Sequence, residues 1–338
     1  MKKIVLTSLF LSLAVFIFSL LSPLLRPPES VFPPPPDGEE LPYAGKLTGT
    51  DDAGITVRAL IGGETETMNM HDYLVGVLAA EMPASFETEA LRAQAAAART
   101  YTLYKMLYGP SDNHPEADVC DDISCCKAYA SDDDMHNNWG EDYEKYRAKM
   151  ENAVASTDGV CITYSGQPAL AVFHSFSPGM TESSENTWGG YLPYLRSVFS
   201  PETENDVPEY FSGLTVPISD FESAVEAVHP EAVFSEGASP FSDDAVYSES
   251  GRLMSVTAGG VSLSGTEIRS LFGLRSAAFT MEFTGDAVVF TCRGSGHGVG
   301  MSQYGANVYA KEGWDYQEIL LHYYEGAELK TLGEMNLR

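Results

Sequence analysis

The segment 294–305 (GSGHGVGMSQYG) constrains the fold more than any other stretch of the chain. Four of its first seven residues are glycine, and they alternate with Ser295, His297 and Val299. Glycine lacks a Cβ and tolerates positive φ, so this backbone can turn tightly or approach a ligand closely. No Gly-Lys-Ser/Thr follows, so the run does not predict a phosphate-binding loop. It predicts either a glycine-kinked strand end leading into a helix near Met301, or a loop that carries His297 to a binding site.

The start of the chain predicts a membrane anchor. Met1–Lys3 precedes an uncharged apolar run, Ile4–Leu25, which Arg26 closes. Roughly 20 apolar residues span a bilayer as a helix, and lysines on the short N-terminal side favour a cytoplasmic N-terminus. A cleaved signal peptide is the alternative, but no convincing small-x-small cleavage site precedes Pro27. We expect a cytoplasmic stub and transmembrane helix at 1–26, a proline-rich linker at 27–50 and an extracytoplasmic domain at 51–338.

Net charge and the pattern of short segments narrow the partners and the fold. The formal net charge of −28 disfavours nucleic acid and anionic membrane surfaces as partners. A neutral glycan or a cationic protein surface remains compatible with it. Strand-like runs alternate with helical segments, which predicts an α+β fold of mixed helices and short-stranded sheets in a single large domain. The segments assigned are strands at 159–164 and 169–174, helices at 220–228, 265–271 and 314–324, and solvated loops at 132–134 and 201–208.

An alanine-rich helical pattern surrounds a candidate acid, Glu81. A first helix runs from Met70 to Glu81, where Pro83 breaks it. A second helix begins at the candidate cap Ser85 and continues through Tyr101. An apolar setting favours the protonated form of a carboxyl group, which a general acid needs; the alternative is a surface glutamate at a helix end. The neighbours that make this setting apolar are Val77, Leu78, Met82 and Phe86.

An acidic loop after Tyr108 contains a second candidate site. His114, Cys120, Cys125 and Cys126 occur within thirteen positions, and thiolates and imidazole are the ligands that Zn²⁺ prefers. The spacing differs from a Cys-x-x-Cys knuckle, so disulfides from Cys120 to Cys125 or Cys126 are the alternative. The two remaining cysteines of the five lie in apolar strand-like runs and are expected to be buried free thiols: Cys161 and Cys292.

Three blocks of the sequence, in order, resemble the stage II sporulation protein D family of lytic transglycosylases. They are 73–99 (YLVGVLAAEMPASFETEALRAQAAAAR), 173–198 (FHSFSPGMTESSENTWGGYLPYLRSV) and 294–307 (GSGHGVGMSQYGAN). The resemblance extends from about Ile55 to about Leu329. It departs from the family at Pro178, where the family often has Gly or Asn.

The resemblance implies an activity and a set of site residues. Members of the family cut peptidoglycan glycan strands between N-acetylmuramic acid and N-acetylglucosamine, leaving 1,6-anhydro ends, during engulfment in endospore formation. One glutamate suffices, because the substrate's own C6 hydroxyl attacks the anomeric carbon; Glu81 matches that glutamate. Gln94 and Arg99 also match, although they have an alternative role in satisfying buried backbone groups. The residues implied to bind substrate are Gln94, Arg99, His174, Ser175, Ser177, Thr181, Glu182, His297, Ser302 and Gln303.

The resemblance also implies a cofactor and partners. Clostridial members carry a zinc-binding histidine and two cysteines, each separated by five residues, and His114, Cys120 and Cys126 repeat this spacing. Cys125 is then spare or replaces its neighbour, and the fourth position on zinc falls to water or substrate. The implied partners are the glycan strand, a membrane-bound amidase (stage II sporulation protein P) and a scaffold (stage II sporulation protein M). The implied location is the space between the forespore and mother-cell membranes.

Two other functions compete with the transglycosylase. Relatives of this domain include enhancers of cell-wall amidases, so the chain could bind glycan and activate a partner without cutting. A binder has no need of a protonated carboxyl, so Glu81 in its Glu-Met-Pro context favours the enzyme. A zinc hydrolase built on His114 is weaker, because spacing places no glutamate base near it.

Overall fold

The structure is a computed structural model that describes residues 49–109 and 111–335 of the 338-residue chain. The predicted anchor at 1–26 and nearly all of the linker at 27–50 lie outside the described residues. Within the described ranges, no helix has both the length and the apolar character needed to cross a membrane.

Helices and strands are mixed along the described residues, so the prediction of an α+β fold is confirmed. The helices are α1 (Met70–Glu81), α2 (Thr88–Tyr108), α3 (Asp132–Trp139), α4 (Tyr143–Ala155), α5 (Ser184–Trp188), α6 (Ile218–Val228), α7 (Gly265–Phe272), α8 (Gln303–Lys311) and α9 (Tyr316–Tyr323). The strands are β1 (Thr56–Ile61), β2 (Glu64–Asn69), β3 (Val119–Cys120), β4 (Val160–Tyr164), β5 (Gln167–Pro168), β6 (Phe173–His174), β7 (Phe211–Pro217), β8 (Val246–Tyr247), β9 (Leu253–Ala258), β10 (Val261–Leu263), β11 (Phe279–Phe283), β12 (Ala287–Arg293), β13 (Met301–Ser302) and β14 (Glu328–Thr331).

The sheets are small. β1 pairs with β2 in the antiparallel sense and with β3 in parallel, while β4 lies between β5 and β14. β9 lies between β8 and β10, and β12 lies between β7 and β11. β6 pairs in parallel with β13, which sets His174 opposite Ser302. This last pair brings together two of the three sequence blocks.

Helix α1 has the bounds that the sequence predicts. The Asn69 side chain caps its start by accepting a hydrogen bond from the Asp72 N–H. The helix ends at Glu81, two residues before Pro83, whose ring cannot continue it. Glu81 therefore projects from the end of a helix whose other residues are mostly buried.

Helix α2 is the centre of the first core, but it starts later than predicted. It begins at Thr88, and the prediction of Ser85 as its cap is wrong. Ser85 lies instead in a turn that the Phe86 N–H closes by donating to the Pro83 carbonyl. The small side chains of Ala95–Ala98 are 0–1% exposed, and α2 packs against α1, α4, α8 and α9.

The strand prediction at 159–174 is correct only in part. β4 turns back into β5 through Ser165 and Gly166, with φ of 52° and 80°, as a two-residue hairpin turn requires. Residues 169–172 are not assigned as strand. The Ala169 N–H still donates to the Ile162 carbonyl of β4, but the Leu170 N–H donates to the Tyr194 hydroxyl, and the Val172 carbonyl accepts from the Tyr324 hydroxyl. Of the predicted strand at 169–174, only Phe173–His174 forms a strand, β6.

Buried apolar side chains form two clusters in the described part of the chain. The first surrounds α2 and includes Ile319, Leu320 and Tyr323 of α9, as predicted for that helix. The second lies within residues 211–293, which we call the second lobe, and is rich in phenylalanine. The predicted helices at 220–228 and 265–271 are confirmed there as α6 and α7.

Candidate active site

Glu81 is half-buried, and two N–H donors hold its carboxylate. Oε1 accepts from the Ala128 backbone N–H at 3.0 Å, and Oε2 accepts from Gln303 Nε2 at 3.2 Å. These donors come from different parts of the chain, the acidic loop and the start of α8. Both oxygens are thus oriented by the protein, while one side of the group remains accessible.

A cavity of about 360 Å³ opens beside Glu81, at the lower end of the range for small-ligand sites. Among the described residues that line it, Glu81 is the one carboxylate. Ser175 and Gln303, both predicted from the sequence, also line it. The full lining is Ala79, Ala80, Glu81, Met82, Pro83, Ala84, Phe86, Trp139, Ser175, Gln303 and Tyr304.

Lys127 brings a positive charge to the site that the sequence analysis missed. Its ammonium lies 3.8 Å from the ring centroid of Phe173 and 4.7 Å from that of Tyr101. Burial lowers the pKa of Lys127, and the nearby charge of Glu81 partly offsets that effect. Lys127 directly precedes Ala128, so one short segment supplies Glu81 with both a backbone donor and a neighbouring cation.

The glycine-rich run joins β12 to β13 and α8 by passing close to its neighbours. Gly294, Gly296, Gly298 and Gly300 all have φ between 71° and 95°. A Cβ on Gly298 would lie 2.0 Å from the Arg252 guanidinium, and one on Gly300 would lie 2.2 Å from the Val172 carbonyl oxygen. The run is therefore a glycine-kinked connection into a helix, as the first alternative predicts, and it carries His297 to a position outside the cavity lining.

The two predicted histidines lie together behind the cavity wall. The ring centroids of His174 and His297 are 5.8 Å apart, and neither ring lines the cavity, although Ser175 does. His174 Nδ1 lies 3.2 Å from the Val299 carbonyl, so Nδ1 donates and Nε2 accepts from the Ser177 hydroxyl at 2.6 Å. Burial lowers the pKa of His174 to about 3 and holds the pKa of His297 well below its usual value. Both imidazoles are neutral near pH 7.

A buried carboxyl, Glu202, joins the histidine loop to α8. It accepts hydrogen bonds from the Ser177 N–H at 2.6 Å and from the hydroxyls of Ser302 and Ser200 at 2.5 and 2.6 Å. Burial raises its pKa, although these hydrogen bonds oppose the effect. The prediction of a solvated loop at 201–208 is wrong at this residue, because Glu202 is 2% exposed.

Ser302 has a second role at the start of α8. Its hydroxyl oxygen caps the helix by accepting from the Gly305 N–H at 3.2 Å. The residue that follows it, Gln303, is the donor to Glu81. The network around Glu202 therefore fixes the position from which Gln303 reaches the cavity.

Glu182 connects the first core to the second lobe. Its Oε2 accepts from the hydroxyls of Ser248 and Ser250 at 2.6 and 2.7 Å, and Asn186 donates to Oε1 at 2.9 Å. Burial would raise the pKa of Glu182, but these hydrogen bonds outweigh it and the pKa is lowered. Thr181, beside it, braces the same loop: its hydroxyl oxygen accepts from the Val198 N–H and donates to the Arg196 carbonyl.

The structure places Gln94 and Arg99 away from the cavity. Arg99 is fully buried and pairs with Asp52 through two contacts of 2.6 Å. It also donates to the backbone carbonyls of Val154 and Val160. Gln94 is fully buried, and its side-chain amide has no hydrogen-bond partner within the described residues.

The predicted metal ligands converge, and Cys125 joins them. One donor atom from each of His114, Cys120, Cys125 and Cys126 lies within 4.8 Å of the others. His114 Nε2 is 3.4 and 3.3 Å from the sulfurs of Cys125 and Cys126, which are 3.9 Å apart. Zn–S bonds of about 2.3 Å and Zn–N bonds of about 2.0 Å in a tetrahedron require separations of about 3.8 Å between sulfurs and about 3.6 Å between nitrogen and sulfur. The donor set therefore fits zinc.

The hydrogen bonds made by His114 and Cys125 also suit a metal bound at this cluster. His114 Nδ1 donates to the Ala117 carbonyl at 3.1 Å, which leaves Nε2 free toward the cysteines. A hydrogen bond from Cys126 lowers the pKa of the Cys125 thiol, and the thiolate is the form that binds metals. All five cysteines are free thiols, so the alternative disulfides are not formed, and Cys161 and Cys292 are buried as predicted.

The comparisons with known proteins match a part of the chain that contains several of the candidate site residues. A family model described as "Stage II sporulation protein" matches residues 62–164, which contain Glu81, the His114–Cys126 cluster and Trp139. The chain is 38% identical to stage II sporulation protein D of Bacillus subtilis (strain 168), over 78% of this chain and 75% of that protein. The chain belongs to the stage II sporulation protein D family.

Two further relatives show how widely the family extends. The chain is 35% identical to stage II sporulation protein D of Bacillus amyloliquefaciens, over 78% of this chain and 75% of that protein. It is also 26% identical to a protein named amidase enhancer in Bacillus subtilis, over 76% of this chain and 40% of that protein. Each of the two stage II sporulation protein D relatives thus matches more than three quarters of the chain.

Proposed function

We propose that the chain is a lytic transglycosylase that cuts peptidoglycan glycan strands between N-acetylmuramic acid and N-acetylglucosamine, leaving 1,6-anhydro ends, during engulfment in endospore formation. The observation that carries the proposal is the isolation of Glu81 among the described residues lining the cavity. Hydrolysing glycosidases usually need two carboxylates across the bond. One carboxyl is enough when the attacking hydroxyl comes from the substrate.

The reaction uses Glu81 twice. Its carboxyl protonates the glycosidic oxygen as the bond breaks, and the C6 hydroxyl of N-acetylmuramic acid attacks the anomeric carbon. The Glu81 carboxylate then accepts the proton of that hydroxyl, so the group returns to its first state and no water is consumed. The N–H groups of Ala128 and Gln303 orient the two oxygens through both steps. Ser175 is the further polar group that meets the sugar.

The other predicted site residues act through position. His174, Ser177 and Ser302 surround Glu202, and this network supports Gln303 and Ser175. Because the imidazoles of His174 and His297 are both neutral near pH 7, they have no role as proton donors there. Glu182 ties its own loop to Ser248 and Ser250 of the second lobe.

We infer that zinc is held by His114, Cys120, Cys125 and Cys126. Four protein ligands close the tetrahedron, which is the arrangement of structural zinc sites. Bound there, zinc would supply a cross-link, and no chemical step is assigned to it. The cross-link would hold the segment from Cys126 to Ala128, and with it the backbone donor to Glu81.

The proposal extends to location and partners. A helix at 1–26 would anchor the chain in the membrane as a single span, with the catalytic domain in the space between the forespore and mother-cell membranes. The proposed partners are the glycan strand, the membrane-bound amidase and the scaffold implied by the family, stage II sporulation proteins P and M. The net charge of −28 suits a neutral strand or a cationic protein surface better than nucleic acid.

A second candidate function is the binding of glycan to activate an amidase. The similarity to a protein named amidase enhancer favours it. To separate the two, purified full-length protein is incubated with glycan strands stripped of their stem peptides, with no amidase present. We expect soluble fragments to be released by the chain alone. Release that occurs only when an amidase and intact peptidoglycan are supplied would favour the activator and contradict the enzyme.

A further inference from the structure

The wall of the cavity beside Glu81 is aromatic. Trp139, the last residue of α3, is half-buried and lines the cavity, as does Tyr304 of α8. Neighbouring rings fix the indole: Tyr146 meets it edge-on at 5.9 Å, and Tyr143 is tilted against it at 6.4 Å. The indole is therefore held in place and still reaches the cavity.

Tyr304 is held as firmly on its side of the cavity. Its ring meets Phe86 edge-on at 4.9 Å and Phe176 at 6.2 Å, and its backbone N–H donates to the Ser175 carbonyl at 3.0 Å. Two fixed rings thus stand near Glu81, on a wall that also contains the polar side chains of Ser175 and Gln303. The cavity combines apolar faces with a few polar groups.

This combination matches the two-sided chemistry of a pyranose ring. The ring presents C–H groups on its faces and hydroxyl or acetamido groups around its edge. The negative face of an aromatic ring attracts such C–H groups, and an indole offers the largest face of any side chain. Hydroxyl and amide side chains at the edge would meet the polar substituents. A flat apolar ligand would make no use of the polar side chains of Ser175 and Gln303.

We propose that Trp139 is a stacking platform for an N-acetylhexosamine ring next to the bond that is cut. This inference rests on the proposed function, because it assumes that a glycan enters the cavity at Glu81. It adds a binding residue from the acidic loop region, which the sequence blocks around Glu81, His174 and His297 do not contain. Trp139 contacts substrate in this proposal but takes no part in proton transfer.

The test uses binding rather than cutting. Full-length protein carrying Glu81→Gln is mixed with beads that carry immobilised glycan strands stripped of stem peptides, and the bound fraction after sedimentation of the beads is measured against glycan concentration. Trp139→Ala in this background should weaken binding about tenfold, equivalent to ~1.4 kcal/mol. Trp139→Phe keeps an aromatic face and should stay within about threefold of the parent. The control is Tyr247→Ala, an aromatic residue of the second lobe that is 42% exposed and does not line the cavity.

Three results would overturn the platform. The first is equal binding by the Glu81→Gln parent and its Trp139→Ala derivative, and the second is the absence of saturable binding by that parent. Thermal unfolding of each variant shows whether Trp139→Ala is folded, and Trp139→Phe provides the test if it is not. A loss of binding shared by Trp139→Ala and Trp139→Phe with unchanged unfolding would also contradict stacking. If wild-type protein makes no 1,6-anhydro ends but binding still depends on Trp139, the proposed reaction falls and the platform stands.

Discussion

The carboxyl group in the cavity, Glu81, and the carboxyl group in the polar network behind it, Glu202, differ in exposure and in their hydrogen-bond donors. Glu81 is half-buried, and the two groups that bond it are both N–H donors. Glu202 is 2% exposed and takes three hydrogen bonds, two of them from hydroxyls. A carboxyl that must exchange a proton with a substrate has to be reachable, whereas one that fixes a loop is more effective when enclosed. The contrast fits the roles proposed for the two groups, with Glu81 as the reacting group and Glu202 as its support.

The largest expected effect is the loss of activity when Glu81 can no longer carry a proton. Glu81→Gln keeps the size of the side chain, so folding should be unchanged. Cutting of stripped glycan strands should fall by about 10²-fold to 10⁴-fold, the range for general acid–base catalysis. The matched control is Glu312→Gln, an exposed glutamate at the end of α8. If Glu81→Gln cut the strands at a rate within a few-fold of wild type, Glu81 would not be the acid and base of the reaction.

The proposed zinc site extends the comparison, since zinc bound there would hold the segment from which Ala128 reaches Glu81. Purified full-length protein should contain about one zinc per chain by elemental analysis. Cys126→Ser should remove the metal and lower Tm by roughly 5–10 °C, because metal binding contributes to folding. Cys161→Ala changes a buried thiol outside the cluster and should keep the zinc. A full zinc content in Cys126→Ser would exclude this site, and so would an absence of zinc from wild-type protein.

A variant of Glu202 tests whether the enclosed carboxyl stabilises the loop that it bonds. Glu202→Ala leaves the Ser177 N–H and two serine hydroxyls without their shared acceptor, and we expect unfolding to require about 2–3 kcal/mol less free energy. The neighbouring Glu204→Ala, at an exposed position, should change stability by less than about 0.5 kcal/mol. Urea unfolding of both variants measures the difference. Equal stability of the two would show that the enclosed carboxyl does not hold the loop.

The smallest expected effect is the loss of folding stability that His174 causes as the pH falls. Its pKa is lowered by burial from 6.5 to about 3, so between these values the unfolded chain binds a proton that the folded chain does not. Stability contributed by neutral His174 is therefore present above pH 6.5 and is lost as pH falls toward 3. Between pH 7 and pH 5 the loss should be about 2 kcal/mol for this residue.

A pair of variants isolates that contribution. His174→Gln should have a shallower decline of unfolding free energy between pH 7 and pH 5 than wild type, with His297 still contributing. His136→Gln, on the exposed face of α3, should keep the wild-type slope. A slope in His174→Gln as steep as that of wild type would mean that His174 is not the buried neutral group described here.

The spacing of apolar residues and the position of a proline were sufficient to predict parts of the fold. Pro83 correctly ended α1, and the apolar spacing of Ile319, Leu320 and Tyr323 correctly placed the inner face of α9. The predicted strand is absent at 169–172, where the hydroxyls of two distant tyrosines bond the backbone of Leu170 and Val172. Such tertiary hydrogen bonds have no local sequence signal.

The site was predictable where side chains carry the chemistry. Glu81, Ser175 and Gln303 converge from sequence blocks that are far apart in the chain, and His114, Cys120 and Cys126 converge from within one segment of thirteen residues. Ala128 could not be found, because its contribution is a backbone N–H. Trp139 was missed because the acids at 132–134 were assigned to a solvated loop. They form the first turn of α3, where acids are favourable beside the helix N-terminus and Ser131 caps it.

The central claim is that the strand is cut without water, and isotope labelling tests it most directly. Full-length protein digests stripped glycan strands in water enriched in ¹⁸O, and the fragment ends are analysed by mass spectrometry. The account predicts fragments ending in 1,6-anhydro-N-acetylmuramic acid, lighter by one water than hydrolysed ends and free of ¹⁸O. Reducing ends that carry ¹⁸O would contradict it, because they would show that water, and not the C6 hydroxyl, attacked the anomeric carbon.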